Sequence, residues 1–453
     1  MQVERITTEA LGDRSYLIHD GAAALVIDPQ RDIDRVEDLA SLLGVRISHV
    51  AETHVHNDYV TGSVELARRH NAVLLVAAAE HVSFERSPVE PGDTISVGAM
   101  AVTAVATPGH TEHHLAYVVE HDGEQAVFSG GNLLYGSVGR TDLVHPDKTV
   151  PLTHAQYHSA RALAGQVSRL AALYPTHGFG SFCSSGPATS ADESTIDEQR
   201  RSNHALIDDD EDHFVEQLIA NLTAYPAYYA HMAPLNRQGP TAPELSLPEP
   251  LDGDTVRRRI LGGEWVVDLR HRVAFADKHL DGTVSFEYGD GGSFTTFLGW
   301  TLPWSEPITL VGSEEDIRAA IRDLSRIGID RPDAALGDPA DGLVDDHPLA
   351  SYPRVGWSAL VNERESGREP LVLDVRRADE YRASHIENAV HIPLHELLSR
   401  MDAVPGGRLW VHCGSGYRAG IGASLLQRAG HDVVHVDDDY SRVSQSGLPI
   451  TTP

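Results

Sequence analysis

Two groups of residues in this chain have the types and spacing that chemistry needs. The first is histidine-rich. Thr53-His54-Val55-His56-Asn57-Asp58-Tyr59 follows an apolar run, and in extended chain His54 and His56 project to the same side. Asp58 can reach the same space or orient one of the imidazoles. Thr107-Pro108-Gly109-His110-Thr111 presents another histidine at a strand-end turn, and Tyr174-Pro175-Thr176-His177-Gly178 a third. Three strand-end histidine motifs in one βα region point to a metal site formed by His54, His56, Asp58, His110 and His177. His154 and His158 are four apart and read as neighbours on one helix face.

The second group is a single thiol. Leu409-Trp410-Val411-His412 is a short apolar strand; Cys413 follows, then Gly414-Ser415-Gly416-Tyr417-Arg418 and a helix-like stretch. A cysteine between a strand end and a helix N-terminus meets inward backbone N–H groups and the positive helix end, and both favour the thiolate. Arg418 adds a fixed positive charge, and Gly414, Ser415, Gly416 and Tyr417 supply the amides of an anion cradle. The spacing is Cys-x4-Arg, one residue shorter than a phosphatase loop that encircles a phosphoryl group, and it suits a single persulfide sulfur. The other cysteine, Cys183, has no arginine or lysine within six positions and is expected to be structural.

The elements that must position these groups alternate in type. Strands are predicted at 15–18, 23–28, 45–52, 101–107 and 126–129, and helices at 31–43, 62–70 and 153–173. Proline-rich stretches at 233–254 and 331–353 read as linkers. Beyond the first lies a repeat. Val267-Asp268-Leu269-Arg270 leads to His279, and Leu373-Asp374-Val375-Arg376 leads to His385, with the same interval from arginine to histidine. The first copy has Gly312 where the second has Cys413, followed by Ser313, Glu314 and Glu315, so it is expected to be non-catalytic, with a packing or docking role.

Composition bounds the rest. A length of 453 residues suggests about three domains. Thirty-six Lys plus Arg against 66 Asp plus Glu give a net charge of −30, which argues against nucleic-acid and anionic-membrane partners. Lysine occurs only at Lys148 and Lys278. Two distant cysteines exclude a disulfide framework and favour a cytoplasmic location; no signal peptide or membrane-length apolar run is evident.

The Cys413 loop and the Asp-x-Arg…His pattern resemble the rhodanese family of sulfurtransferases. The histidine motifs resemble the metallo-β-lactamase superfamily, with Tyr59 in place of the last histidine of its His-x-His-x-Asp-His signature. Val138-Gly139-Arg140-Thr141-Asp142-Leu143 is similar to a stretch of that superfamily's persulfide dioxygenases, where the arginine lies near substrate. The resemblance implies an α/β chain: a metallo-β-lactamase-like αββα sandwich over 1–232, an inactive rhodanese-like domain over 255–337 and a rhodanese domain over 354–453. It implies one Fe(II), alternatively Zn or none, held by His54 and His110; in this branch an Asp is the third ligand, but Gly131 stands at its position. Asp58, Asn132, His56, His177, an exogenous anion or a substrate persulfide then completes the site, or no metal binds. The implied function is oxidation of low-molecular-weight persulfides to sulfite, coupled to sulfur transfer through Cys413 with Arg418, and with Arg140 as substrate anchor. Persulfides, thiols or sulfite would be the partners, and a homo-oligomer is compatible. The alternatives are a sulfurtransferase alone on a metal-poor scaffold, or a glyoxalase II-like thioester hydrolase.

Overall fold

The computed structural model describes every residue except 188, 190, 290–292, 340 and 453. Its contacts divide it into one unit of Met1–Pro243 with Ser325–Gly328, and another of Glu244–Leu324 with Ile329–Pro453.

In the first unit, strands β1 (Gln2–Thr8), β2 (Asp13–His19), β3 (Ala23–Ile27), β4 (Arg46–Ala51), β5 (Val73–Ala77) and β6 (Ser87–Val89) lie side by side in that order. β1 to β3 are antiparallel, and β3 to β6 run parallel. A second sheet has the order β11 (Ala172–Pro175), β10 (Glu124–Gly130), β9 (Leu115–His121), β8 (Met100–Ala106), β7 (Thr94–Val97). Strand alternation sends Tyr16, Ile18, Leu25 and Ile27 to one side, where they pack against Leu115, Tyr117, Val119 and Phe128 of the other sheet. Leu17, Val26 and Val50 point the opposite way, onto Val36 of helix Asp34–Leu43 and Leu66 of helix Ser63–His70. Val118 and Val127 face Tyr157, Ala160 and Leu163 of helix Thr149–Gln166. The four layers are the αββα sandwich expected. The strand-end turns that hold the histidines follow β4, β8 and β11.

The second unit contains two parallel sheets of one topology. The first has the order β14 (Val284–Ser285), β12 (Trp265–Asp268), β15 (Ile308–Gly312), β16 (Asp333–Leu336). The second has β21 (Val390–His391), β19 (Leu371–Asp374), β22 (Arg408–His412), β23 (Asp432–Val436), with β18 (Arg354–Val355) at the edge. Short antiparallel ribbons repeat as well: β13 (His279–Leu280) with β17 (Leu349–Ala350), and β20 (His385–Ile386) with β24 (Ile450–Thr451). The repeat in the sequence is therefore a repeat of structure.

The proline-rich stretches are not plain linkers. Helix Tyr229–Gln238 runs through Pro234, because burial of Tyr229, Met232 and Asn236 outweighs the lost backbone donor. The second stretch contributes β16 and β17. No helix among the described residues is long and apolar enough to cross a membrane.

Candidate functional site

In the first unit the histidine motifs converge. Donor atoms of His54, His110 and His177 all lie within 4.8 Å of one another, and all three residues are buried. The rings are set by their far nitrogens. Nδ1 of His110 lies 2.7 Å from the Arg140 carbonyl, which can only accept, so Nδ1 carries the proton and Nε2 keeps its lone pair. Nδ1 of His177 lies 2.8 Å from Asp13 Oδ1 and 3.2 Å from Asp58 Oδ2, and its Nε2 faces Nε2 of His54 at 3.3 Å. Thr53 Oγ1 donates to Asp28 at 2.7 Å and is 2.9 Å from His54 Nδ1, so that nitrogen is the donor and Nε2 of His54 is also left to the centre. Each ring therefore turns Nε2 inward.

Burial and neighbouring imidazoles, His56 for His54 and His177 for His110, keep both rings neutral; His54 lies well below its usual pKa and His110 is pushed down to about 3. His177 behaves oppositely. Burial opposes its charge, but Asp58 and Asp13 prevail and raise it to about 9. A cation arriving at its Nε2 displaces that proton, as ligation by imidazole requires. Burial and the Asp58 charge push Asp13 up to about 8.

His56 has one nitrogen engaged with carboxylates and the other, Nδ1, buried without a partner. Its Nε2 is 3.0 Å from Glu52, 3.3 Å from Asp28 and 3.0 Å from the Tyr59 hydroxyl, and these carboxylates overcome burial to hold it well above its usual pKa. The Tyr59 ring stacks on it at 4.3 Å. His56 also belongs to two alternative groupings, with Asp28 and His54 or with Asp58 and His177. A Cβ on Gly131 would overlap the His110 ring, so no carboxylate can arise from that position. Asn132 donates to Ser159 at 2.7 Å. His110 Nε2, His56 Nδ1, Asp58 Oδ1 and Asp13 Oδ2 are buried without hydrogen-bond partners. Orphaned polar atoms in and around an imidazole trio are what a bound cation satisfies, so the donor set fits a metal.

Arg140, expected to anchor substrate, is engaged elsewhere. Its guanidinium donates to Asp142 at 2.7 and 2.8 Å, to the Phe182 carbonyl at 3.1 Å and to the Thr223 carbonyl at 2.8 Å. Its contribution here is its carbonyl, which orients His110. A cavity of about 520 Å³ is lined by Val55, Asn57 and Thr111, which flank the cluster histidines in sequence, and by Tyr225, Tyr229 and Arg237. Asn236 bonds the His56 and Tyr59 carbonyls and holds the histidine loop. Sequence reasoning missed Asp13, Asp28 and His114. Asp28 ends an apolar strand, as Asp268 and Asp374 do, and that signal marks it. His114 accepts from Gly131 N–H at 3.0 Å and stacks on His54.

In the second unit Cys413 sits where β22 ends, 1% exposed. Gly416 N–H donates to its Sγ at 3.2 Å, and helix Tyr417–Arg428 starts at the next residue. Gly416 has φ +94°, and a Cβ there would overlap the Asp437 carboxylate, so only glycine closes this loop. Arg418 is held by Glu380, a residue the sequence did not single out, through bonds of 2.6 and 2.7 Å. Tyr417 donates to the Glu287 carbonyl at 3.2 Å, and its ring lies 5.9 Å from Phe297.

Asp374, Arg376 and His385 form scaffold. Arg376 chelates Asp374 and donates to the Ser384 carbonyl; His385 bonds the Tyr381 carbonyl and stacks on Tyr381. In the first copy Arg270 does the same with Asp268 and the Lys278 carbonyl, and His279 with Phe275. There Ser313 Oγ accepts from Asp316 N–H at 3.1 Å, so a cap replaces the cradle. Cys183 is buried 3.9 Å from the Tyr229 hydroxyl, and burial with the Asp58 and Asp13 charges holds its thiol well above the usual range.

Comparison with known proteins agrees with this fold. Residues 11–177 match the model of the metallo-beta-lactamase superfamily, and residues 358–446 that of the rhodanese-like domain. Similar curated proteins include hydroxyacylglutathione hydrolases of Acidiphilium cryptum, 33% identical over 153 residues (33% of this chain, 58% of that protein), and of Methylobacillus flagellatus, 32% identical over 127 residues (28% and 49%). The chain spans about half the length of these relatives. A solved metallo-beta-lactamase from Staphylococcus aureus aligns with a TM-score of 0.67 at 25% identity, over 74% of this chain and 99% of that one. The N-terminal region thus has the metallo-β-lactamase fold and matches that superfamily's model, and the same chain matches a rhodanese-like domain at its C-terminal end.

Proposed function

We propose that this chain handles sulfane sulfur, with Cys413 as a persulfide carrier and the N-terminal centre acting on low-molecular-weight persulfides. The observation that carries the reading is the Gly416 N–H aimed at Cys413 Sγ from 3.2 Å, at the start of a 12-residue helix. In transfer, the Cys413 thiolate attacks the terminal sulfur of a donor. The donor's S–S bond breaks, and the donor leaves with the bonding electrons. An acceptor thiolate or sulfite then attacks the outer sulfur, and Cys413 departs as thiolate. With sulfite the product is thiosulfate.

In the N-terminal centre His54, His110 and His177 would hold the ion, one Fe(II) on this reading, with the Arg140 carbonyl, Asp13 and Asp58 orienting the rings. The ion would supply the redox chemistry that dioxygen needs for converting a persulfide to a thiol and sulfite. The cavity lined by Val55, Asn57 and Thr111 would receive the small-molecule persulfide.

The donor set favours a second reading. A centre dominated by imidazoles suits zinc, and the curated relatives named above are hydroxyacylglutathione hydrolases. On that reading the centre cleaves thioesters. Metal analysis of purified protein, with oxygen uptake on glutathione persulfide, separates the two. Iron near one per chain with uptake supports oxidation. Zinc with thioester cleavage and no uptake supports hydrolysis. Metal-free protein that still transfers sulfur through Cys413 overturns both and leaves a sulfurtransferase. Cys413→Ser abolishes transfer and Cys183→Ser preserves it; transfer by Cys413→Ser would refute the carrier.

A further inference from the structure

Glu380 takes both ends of the Arg418 guanidinium while its Oε2 also accepts from Arg377 N–H at 3.0 Å. The pair lies over Gly414, the neighbour of Cys413. A Cβ on Gly414 would be 3.0 Å from Arg418 Nη2 and 3.7 Å from Glu380 Oε1. The positive charge beside the thiol is thus matched by a carboxylate at the same place.

The duplicated sheet shows that this pair belongs with the thiol and not with the scaffold. Strand register pairs Asp268 with Val311 and Asp374 with His412, which aligns Gly312 with Cys413. The position six beyond Asp374 is Glu380, and six beyond Asp268 is Ala274. Five beyond Cys413 is Arg418, and five beyond Gly312 is the buried Ile317. Asp, Arg and His of the scaffold persist in both copies. Thiol, arginine and carboxylate are absent together from the first.

We propose that Glu380 sets the charge preference of the Cys413 loop: it holds Arg418 in a neutral pair, so that a dianionic sulfur compound binds only by taking the guanidinium from it. Glu380 is a positioning residue acting through Arg418. The inference rests on Cys413 as sulfur carrier, yet anion binding can be measured without any transfer.

In the full-length Cys413→Ser protein, sulfite titrated by calorimetry is expected to bind about tenfold more tightly after Glu380→Gln, a change of about 1.4 kcal/mol. Glu380→Asp, which keeps the charge, is expected to stay near the parent. Equal, weaker or undetectable binding in the Gln protein overturns the proposal. With Cys413 present, Glu380→Gln is expected to lower KM for thiosulfate, which loads Cys413 with its outer sulfur and departs as sulfite. Unloading by dithiothreitol should be little changed; there the dithiol takes the sulfur, closes to a cyclic disulfide and expels hydrosulfide. A parallel fall in both steps would indicate a merely structural residue and overturn the proposal. Failure of the wild type to gain a sulfur atom from thiosulfate, read by intact mass, would sink the carrier reading alone, since the calorimetry does not depend on it.

Discussion

The ring of His110 fills the space in which a side chain at Gly131 would begin. Gly131 is also pinned by its N–H to His114 and its carbonyl to Gly139 N–H, so neither partner can yield easily. Gly131→Asp is therefore expected to displace His110 and not to supply a ligand. Overpacking of this kind costs about 1–3 kcal/mol. Thermal melting should show the loss, and metal content should fall.

Metal affinity should follow the rings that turn Nε2 inward. His54→Ala, His110→Ala and His177→Ala are expected to lose the ion and His56→Ala to weaken its binding, because His56 Nε2 is taken by Glu52, Asp28 and Tyr59 while its buried Nδ1 has no hydrogen-bond partner. Asp13→Asn, which removes only the group behind His177, is expected to weaken binding about 10- to 100-fold. Competition with a chelator of known affinity gives the ranking. Retained affinity in His177→Ala would remove it from the ligand set.

The two copies of the Asp-Arg pair are expected to differ in cost. Asp374→Asn leaves Arg376 with a side chain only 4% exposed and no other carboxylate in contact among the described residues, which costs about 3–5 kcal/mol. Asp268→Asn should cost less, since Arg270 keeps Asp338 at 2.8 Å. Urea unfolding of the two variants gives the comparison, and equal losses would contradict it.

Burial pushes His435 down to about 4, and its Nε2 lies 2.9 Å from the Gly416 carbonyl. The unfolded chain binds a proton near pH 6.5 that the native state refuses until about pH 4, so this residue removes stability as pH falls through that window. The loss approaches roughly 3 kcal/mol at its lower end. His435→Gln can still offer an N–H to Gly416 and should flatten the fall in stability between these pH values. An unchanged pH slope would show that the ring is not the source.

What was legible in the residues was the local chemistry. Strand, cysteine, glycines and helix follow one another in Leu409–Arg418, so the cradle could be read without the fold. The Asp-x-Arg…His repeat was legible because each copy closes on itself within about a dozen residues. The histidine centre was legible as a set but not as a geometry. Which nitrogens meet depends on Asp13, Asp28 and Arg140, which reach the rings from distant parts of the chain. The resemblance offered Arg140 as a substrate anchor, and its engagement was not legible because its partners at Phe182 and Thr223 are far along the sequence. Helix Tyr229–Gln238 was hidden because Pro234 argues locally against a helix that tertiary burial imposes.

The duplicated sheet gives this protein an internal reference. Positions that both copies share, such as Asp268 and Asp374, report on what folding demands. Positions where they part, such as Ala274 and Glu380 or Gly312 and Cys413, report on what chemistry adds. Unreactive and reactive forms of one architecture therefore share the same solvent, temperature and polypeptide, and the difference between them comes down to a few side chains around one sulfur atom.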